Sequence, residues 1–530
     1  MPRLTPARRA LGITVASMVV LALVAVLAGA RRQFDSAELF RNVLRTVWRE
    51  SVDSLSVDAL YERAARGLVR QLNDPYAALY SPSEVSGMRR NRLGDRYGGL
   101  GMSIEDHRGA MVIVSLFAGA PGAAAGFQPG DRIIAIDGAP TAGWSLDQVS
   151  DHLIGAPGTA VELTAARPGV AAPIRVRVVR AVVHVPSVPY TLLFAPDVGY
   201  IPIEHFNESA TEEVRTAIQS LRARGATSFV LDLRGNGGGE LTQALGISNL
   251  FLATGVTIVS VHDRGSGTEV IHAAGPPSAP TEPVVVLVDR RTASASEIVA
   301  GALQDHDRAA VVGVPSFGKG LVQTMFPLDG GWAVKMTTGR WFTPRGRSIH
   351  RARPFVDGHF VDPDTLPDPR TAADAHADRP TITSDAGRTL YGGGGIVPDV
   401  VVAGDTLSSD EQRLAAALVP AGGAARIAVY NVSLGLAHHV TPAFHVMAAW
   451  RDQVYQALAD ANVHLDRPLF ERGGALIDRA IETQVTRLAF GDSAAARRSA
   501  GRDAQLQRAL QLLHHAPSMA ALLTIARDKG

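Results

Sequence analysis

Apolar residues between positions 35 and 90 recur at intervals of three and four. Leu39, Phe40, Val43, Leu44 and Val47 form one stripe, and Leu60, Ala64, Leu68, Val69 and Leu72 a second. That spacing predicts two amphipathic helices, the second stopped by Asn73-Asp-Pro75. From Gly94 the pattern changes to short apolar runs punctuated by glycine. Residues 111–114, 132–136, 160–164 and 174–178 predict strands, and 147–154 a helix between them. Together they predict a small, mostly β module.

From about 197 to 345 apolar runs alternate with helical patterns. Strands are predicted at 229–233, 284–288 and 309–312, and helices at 241–252 and 295–305. Strands separated by helices predict βαβ units and a largely parallel sheet. Their near-continuous apolar character predicts a sheet covered on both faces. Residues 353–390, rich in Pro, Asp and Thr, read as a loop or insertion of low order. Beyond 405 the chain turns helical, for example at 475–488 and 504–513. The expected fold class is multidomain α/β, with boundaries at 1–32, 33–95, 96–182, 183–402 and 403–530.

The N-terminus adds an element outside that scheme. Arg3, Arg8 and Arg9 precede 21 uncharged residues, 10–30, and Arg31-Arg32 follow. The run is long enough to span a bilayer as a helix. Ala28-Gly-Ala30 resembles a signal-peptide cleavage site, but the length of the run and the two arginines after it favour an uncleaved anchor. The positive n-region keeps the short tail in the cytoplasm and the rest outside it, as in a periplasmic protein; cleavage would make the chain secreted.

Composition excludes several classes. The 530 residues carry 52 Lys+Arg against 51 Asp+Glu, a formal net charge of +1, so no global field draws in nucleic acid. There is no cysteine, which removes thiol nucleophiles, disulfides and Cys-containing zinc sites. No H-E-x-x-H occurs. Neither a metal nor a cofactor is expected.

Gly313-Val-Pro-Ser-Phe-Gly-Lys-Gly320 looks like a P-loop, but the residue after Lys319 is Gly320 rather than Ser or Thr. A β-like run broken by Pro327 follows where a P-loop needs a helix. A nucleotide-dependent enzyme therefore lacks support. Arg291-Thr-Ala-Ser-Ala-Ser-Glu297 opens the helix after a buried strand, at the sheet edge where chemistry gathers in α/β folds. A helix cap with Glu297 in the first turn explains one of these serines, not both. A serine nucleophile needs a base. His306, the nearest histidine, sits at the far end of that helix, and no GxSxG occurs. A lysine serves if desolvation lowers its pKa from about 10.4. Ser294 and Lys319 would then form a dyad. Asp232-Leu-Arg-Gly-Asn-Gly-Gly-Gly239 offers backbone N–H groups for an oxyanion.

These blocks, with Thr292-Ala-Ser-Ala-Ser-Glu297, Phe317-Gly-Lys-Gly-Leu-Val-Gln323, Thr343-Pro-Arg-Gly-Arg-Ser-Ile349 and Gly395-Ile-Val-Pro-Asp399, resemble the carboxyl-terminal processing peptidases. These are the S41 family of serine endopeptidases that carry a PDZ domain. The resemblance implies Ser294 as nucleophile, Lys319 as general base and Gln323 as the residue orienting the lysine. Ser296 and Glu297 would support them. The oxyanion donors would be the N–H of Ala295 and of one glycine in 237–239, Gly238 or Gly239. The core would be ClpP/crotonase-like. Tyr97-Gly-Gly-Leu-Gly-Met102 resembles a PDZ carboxylate-binding loop, implying peptide contacts from Gly98, Gly99, Leu100, Gly101 and Met102. The implied function is processing or degradation of proteins with exposed C-termini. The alternative is a non-catalytic PDZ sensor. A homo-oligomer through the terminal helices and an adaptor stay open.

Overall fold

The computed structural model describes residues 36–88, 96–107, 109–117, 119–167, 170–194, 197–353, 355–356, 359–360, 379–404, 406–421 and 423–528. The run 10–30, expected as an anchor or signal sequence, lies outside them. Among the described residues no single helix is long and apolar enough to cross a membrane. The chain divides into two units, Met1–Leu79 and Tyr80–Gly530.

In the first unit the two helical stripes become α1 (Ser36–Glu50) and α2 (Val57–Arg70). The Ser56 hydroxyl accepts the Ala59 N–H at 3.2 Å and caps α2. α1 buries none of its residues; Leu39, Phe40, Val43, Val47 and Trp48 are exposed.

The second unit opens with the mostly β module. It comprises β1 (Arg96–Gly99), β2 (Met102–His107), β3 (Ala110–Leu116), β4 (Arg132–Ile136), α3 (Leu146–Leu153), β5 (Ala160–Ala166), β6 (Ile174–Val179) and β7 (Ala181–His184). An antiparallel sheet runs β2-β3-β4-β5-β6, and β1 pairs with β7. Alternation works as expected in β5, where Val161, Leu163 and Ala165 turn into a core with Met111, Ile113 and Ile136. A Ser145–Gln148 capping box starts α3. β2 is an edge strand, so one side of its backbone has no strand partner in this sheet.

The α/β core follows with β8 (Leu192–Phe194), β9 (Val198–Pro202), α4 (Ala210–Ala223), β10 (Ser228–Asp232), α5 (Leu241–Asn249), β11 (Thr257–Asp263), β12 (Gly267–His272), β13 (Val284–Val288), α6 (Ala295–Asp305), β14 (Ala310–Gly313), β15 (Leu321–Pro327), β16 (Ala333–Phe342) and β17 (Val400–Val401). The main sheet runs β8-β9-β10-β13-β14-β17 and is parallel except at β8-β9. A second, antiparallel sheet contains β12-β11-β16-β15. In the main sheet Asp232 lies beside Leu287, and Leu287 beside Val312. The carboxyl ends of β10, β13 and β14 are therefore neighbours.

Every residue of β13 is buried. Val284, Val286 and Val288 face α4, α5 and α6. Val285 and Leu287 face the C-terminal region, which contributes α7 (Gly423–Ala437), α8 (Ala504–His514) and α9 (Met519–Asp528). Leu506, Ala509, Leu512 and Leu513 of α8 and Leu522 and Ala526 of α9 cover that second face. The expected two-sided burial is thus completed by the last 30 residues of the chain. The mostly β module also rests on this region. Arg426 of α7 pairs with Glu105 at 2.6 Å, and a Cβ on Gly130 would lie 2.5 Å from Leu434.

Candidate active site

All eleven residues of α6 are buried, which fixes both of its ends. At its carboxyl end the buried Asp305 pairs with Arg347 at 2.5 Å, and Arg347 also donates to Gln304 Oε1 at 2.9 Å. Asp399 accepts the Val311 N–H at 2.7 Å and pairs with Arg388. The blocks 343–349 and 395–399 therefore brace α6 and β14 rather than reach Ser294.

Ser294 stands at the amino end, between β13 and α6. Its φ of 57° and ψ of −116° are strained for a residue with a Cβ. A strained strand-to-helix turn is what lifts a serine nucleophile clear of its sheet. The carboxylate half of a capping box is well formed: the Ser294 N–H donates to Glu297 Oε2 at 2.8 Å.

Glu297 is fully buried and ties the serine turn to the lysine loop. Oε2 also accepts the Lys319 N–H at 2.9 Å; Oε1 accepts Gly318 N–H at 2.7 Å and Ser316 Oγ at 2.5 Å. Burial pushes its carboxyl above the ordinary range, against the four donors that pull it down. The Lys319 carbonyl accepts Trp341 Nε1–H at 3.0 Å, and the Phe317 N–H donates to Thr292 O at 2.9 Å.

The glycine loop is stitched to the same turn. Asn236 O accepts the Ala293 N–H at 3.0 Å and the Ser296 hydroxyl at 3.1 Å, so Ser296 acts as a support. Asp289 Oδ1 accepts N–H groups from Gly235, Arg291 and Thr292. The Gly238 N–H donates to Asn236 Oδ1 at 2.8 Å. Of the two glycines expected as oxyanion donors, Gly239 is the one whose N–H is left without a hydrogen-bond partner among the described residues. Gly238 has a steric reason to be glycine: at φ 93° its Cβ would sit 2.9 Å from both Ser294 Cβ and Ala295 N.

A cavity of about 1000 Å³ brings these groups together. Ser294, Ala295, Lys319, Gln323 and Gly237–Gly239 line it, with apolar walls from Phe206, Leu241, Ile298, Met325 and Trp341. Gln323 Nε2 is buried without a hydrogen-bond partner among the described residues. The same cavity reaches the mostly β module through Leu100, Gly101, Met102, Ser103 and Ile104, and through Ser150, Leu153 and Ile154 along α3. Gly98 and Gly99 are not on this wall. They lie in β1, where a Cβ on Gly98 would meet Gly155 O at 2.1 Å.

The sequence reading missed the elbow at Ser294, the acceptor Asp289 and the centrality of Glu297. The strain at Ser294 has no motif to mark it. Asp289 directly follows β13 with no motif to mark it, and Glu297 is expected as a cap and support but not as the link between the serine turn and the lysine loop.

Residues 197–364 match peptidase family S41, and 112–167 match the PDZ domain. The chain is 35% identical over 337 residues to the carboxy-terminal processing protease CtpA of Bacillus subtilis (strain 168), covering 63% of this chain and 71% of that one. It is 34% identical over 339 residues to a carboxy-terminal-processing protease of Bartonella bacilliformis, covering 63% and 77%. Among solved structures it resembles a photosystem II D1 C-terminal processing protease at 30% identity, with a TM-score of 0.36, covering 61% of this chain and 85% of that one. The chain belongs to peptidase family S41, as a PDZ-containing serine-type peptidase among the carboxy-terminal processing proteases.

Proposed function

We propose that this peptidase cleaves with a Ser294–Lys319 dyad and that its PDZ domain selects substrates by their C-termini. The observation that carries both parts is the single cavity lined by the PDZ groove and by Ser294, Lys319 and the glycine loop. An extended tail adds to the open edge of β2 beside α3, with its carboxylate against the N–H groups of the loop around Leu100–Met102. The scissile bond then lies in the same cavity. The Ser294 hydroxyl adds to the carbonyl carbon as Lys319 Nζ takes its proton, and the oxyanion is held by the N–H groups of Ala295 and Gly239. Collapse of the adduct expels the amine, which receives that proton. A water activated by Lys319 hydrolyses the acyl-enzyme. Gln323 steadies the lysine.

The parallel main sheet supports the ClpP/crotonase-like kinship of the core. Residues 10–30 anchor the chain with its catalytic part outside the cytoplasm.

Ser294→Ala and Lys319→Ala, assayed on an unstructured protein, should each lose at least about three orders of magnitude in kcat. Wild-type cleavage in either variant would end the assignment. Activity should rise with pH as the base loses its proton, and a purely acidic optimum would count against a lysine base. Amidating the substrate C-terminus should raise KM with kcat little changed; equal KM for both forms would remove the carboxylate role.

A further inference from the structure

We propose that Asp503, in the C-terminal helical layer, is a positioning residue for catalysis: through Arg234 it holds the glycine loop 235–239 against Ser294. The proposal rests on the Ser294–Lys319 reading. Arg234 lies two residues beyond the end of β10, immediately before that loop. Its Nε donates to Asp232 Oδ1 at 2.9 Å, and Nη2 to Asp232 Oδ2 at 2.6 Å. Nη1 and Nη2 reach Asp503 Oδ1 and Oδ2 at 2.8 and 2.7 Å, and Nη1 also reaches Gln505 Oε1 at 3.1 Å. These bonds account for all five N–H donors of the guanidinium.

The two carboxylates do different things. Asp232 is two residues away in the same segment and accepts the Tyr200 hydroxyl of β9 at 2.7 Å, so pairing with it ties Arg234 only within the main sheet itself. Asp503 is 269 positions away and belongs to a separate layer. A fork-to-fork pair of this kind fixes direction as well as distance. Asp503 is itself immobilised, because Oδ1 accepts the Leu506 N–H at 3.0 Å and caps α8, which is packed on the sheet. Gln505 extends the tie to the end of β17 by donating to Val402 O at 2.8 Å.

The loop has little tolerance for movement. Four residues after Arg234, Gly238 approaches Ser294 and Ala295 so closely that a single Cβ would collide with both. Oxyanion donors act only at hydrogen-bond distance from the developing charge, and sub-ångström misplacement is felt in kcat. Asp503 pairs with Arg234 on the side of the sheet's C-terminal layer, where its side chain is 26% exposed and lines a second cavity of about 250 Å³. It makes no contact with the substrate cavity, so its effect passes through Arg234.

The test is Asp503→Ser in the full chain. Serine caps a helix as well as aspartate but is too short to reach Arg234. The expected result is a fall in kcat of about 10- to 100-fold, with KM at its wild-type value and only the small drop in unfolding temperature that losing the ion pair brings. A peptide boronic acid, which forms a tetrahedral adduct on serine, should lose affinity in parallel with kcat. Asp503→Asn keeps the cap and one acceptor and should fall between serine and wild type. Wild-type kcat in Asp503→Ser, or a loss matched by equal losses in peptide binding and unfolding temperature, overturns the proposal. Ser294→Ala runs alongside: an inactive Ser294→Ala with a fully active Asp503→Ser removes only Asp503, whereas an active Ser294→Ala removes the dyad reading itself.

Discussion

Four donors converge on the buried carboxylate of Glu297, and they come from both sides of the site: Ser294 on one, Ser316, Gly318 and Lys319 on the other. Glu297→Ala leaves three N–H groups and a hydroxyl without an acceptor in a dry interior. At about 1–3 kcal/mol for each unsatisfied group that cannot relax, the variant should be destabilised by several kcal/mol in urea unfolding and should lose activity. Stability within about 0.5 kcal/mol of wild type would show that water replaces the carboxylate. Gly238→Ala tests geometry instead of bonding. The added methyl meets Ala293 O, Ala295 N and Ser294 Cβ, and φ 93° disfavours alanine. Activity should fall by at least about 100-fold with the fold kept by far-ultraviolet circular dichroism; near-normal turnover would mean the loop has slack.

At the scale of elements, α6 and α8 sandwich the parallel sheet. α6 presents Ser294 from one face. α8 covers the other face and carries the Asp503 cap. Leu512 is 1% exposed within that second face, so Leu512→Ala should cost about 2–5 kcal/mol by denaturant titration. A smaller loss would show that α8 closes over the cavity left behind. The parallel strands explain why three chemical groups far apart in sequence meet: β10, β13 and β14 are adjacent, run the same way, and each ends in one of the three loops. Much of this was legible beforehand. Helix 295–305 is legible to the residue, because a strong apolar run there follows Ser294, whereas the run after Gly320 is legible only as β-like and broken by Pro327, which the strand in fact includes. The strand at 284–288 is also where expected, while those at 229–233 and 309–312 shift by one residue, since hydrogen-bond register and not apolarity sets their ends.

For the whole molecule, the C-terminal region ties parts together through ion pairs. Burial pushes the Glu482 and Asp503 carboxyls up, but Arg498 and Arg502 beside the first and Arg234 beside the second bring both below the ordinary carboxylate range. Depressed groups of this kind add stability above the unfolded carboxylate value of about 4 and lose it as pH falls through their folded values. Unfolding temperature should therefore drop on acidification below that point. Glu482→Gln should be less stable than wild type at neutral pH, and the gap should close in acid. A gap independent of pH would assign the effect to packing. The same region seats the PDZ domain through Arg426 and Glu105 and through Leu434 over Gly130.

By itself the sequence determined the local things: which runs are strands or helices, that the sheet must be covered on both faces, and which serine and lysine sit at neighbouring strand ends. These depend on periodicity and on residue type, and both are written along the chain. Only the tertiary structure decided what covers the second face, why Ser294 is strained, that Gly238 spends its N–H on Asn236, and that Glu297, Asp289 and Asp503 organise the loops. Each of these depends on groups brought together from distant parts of the chain, or on a backbone angle imposed by packing, and no spacing rule records either.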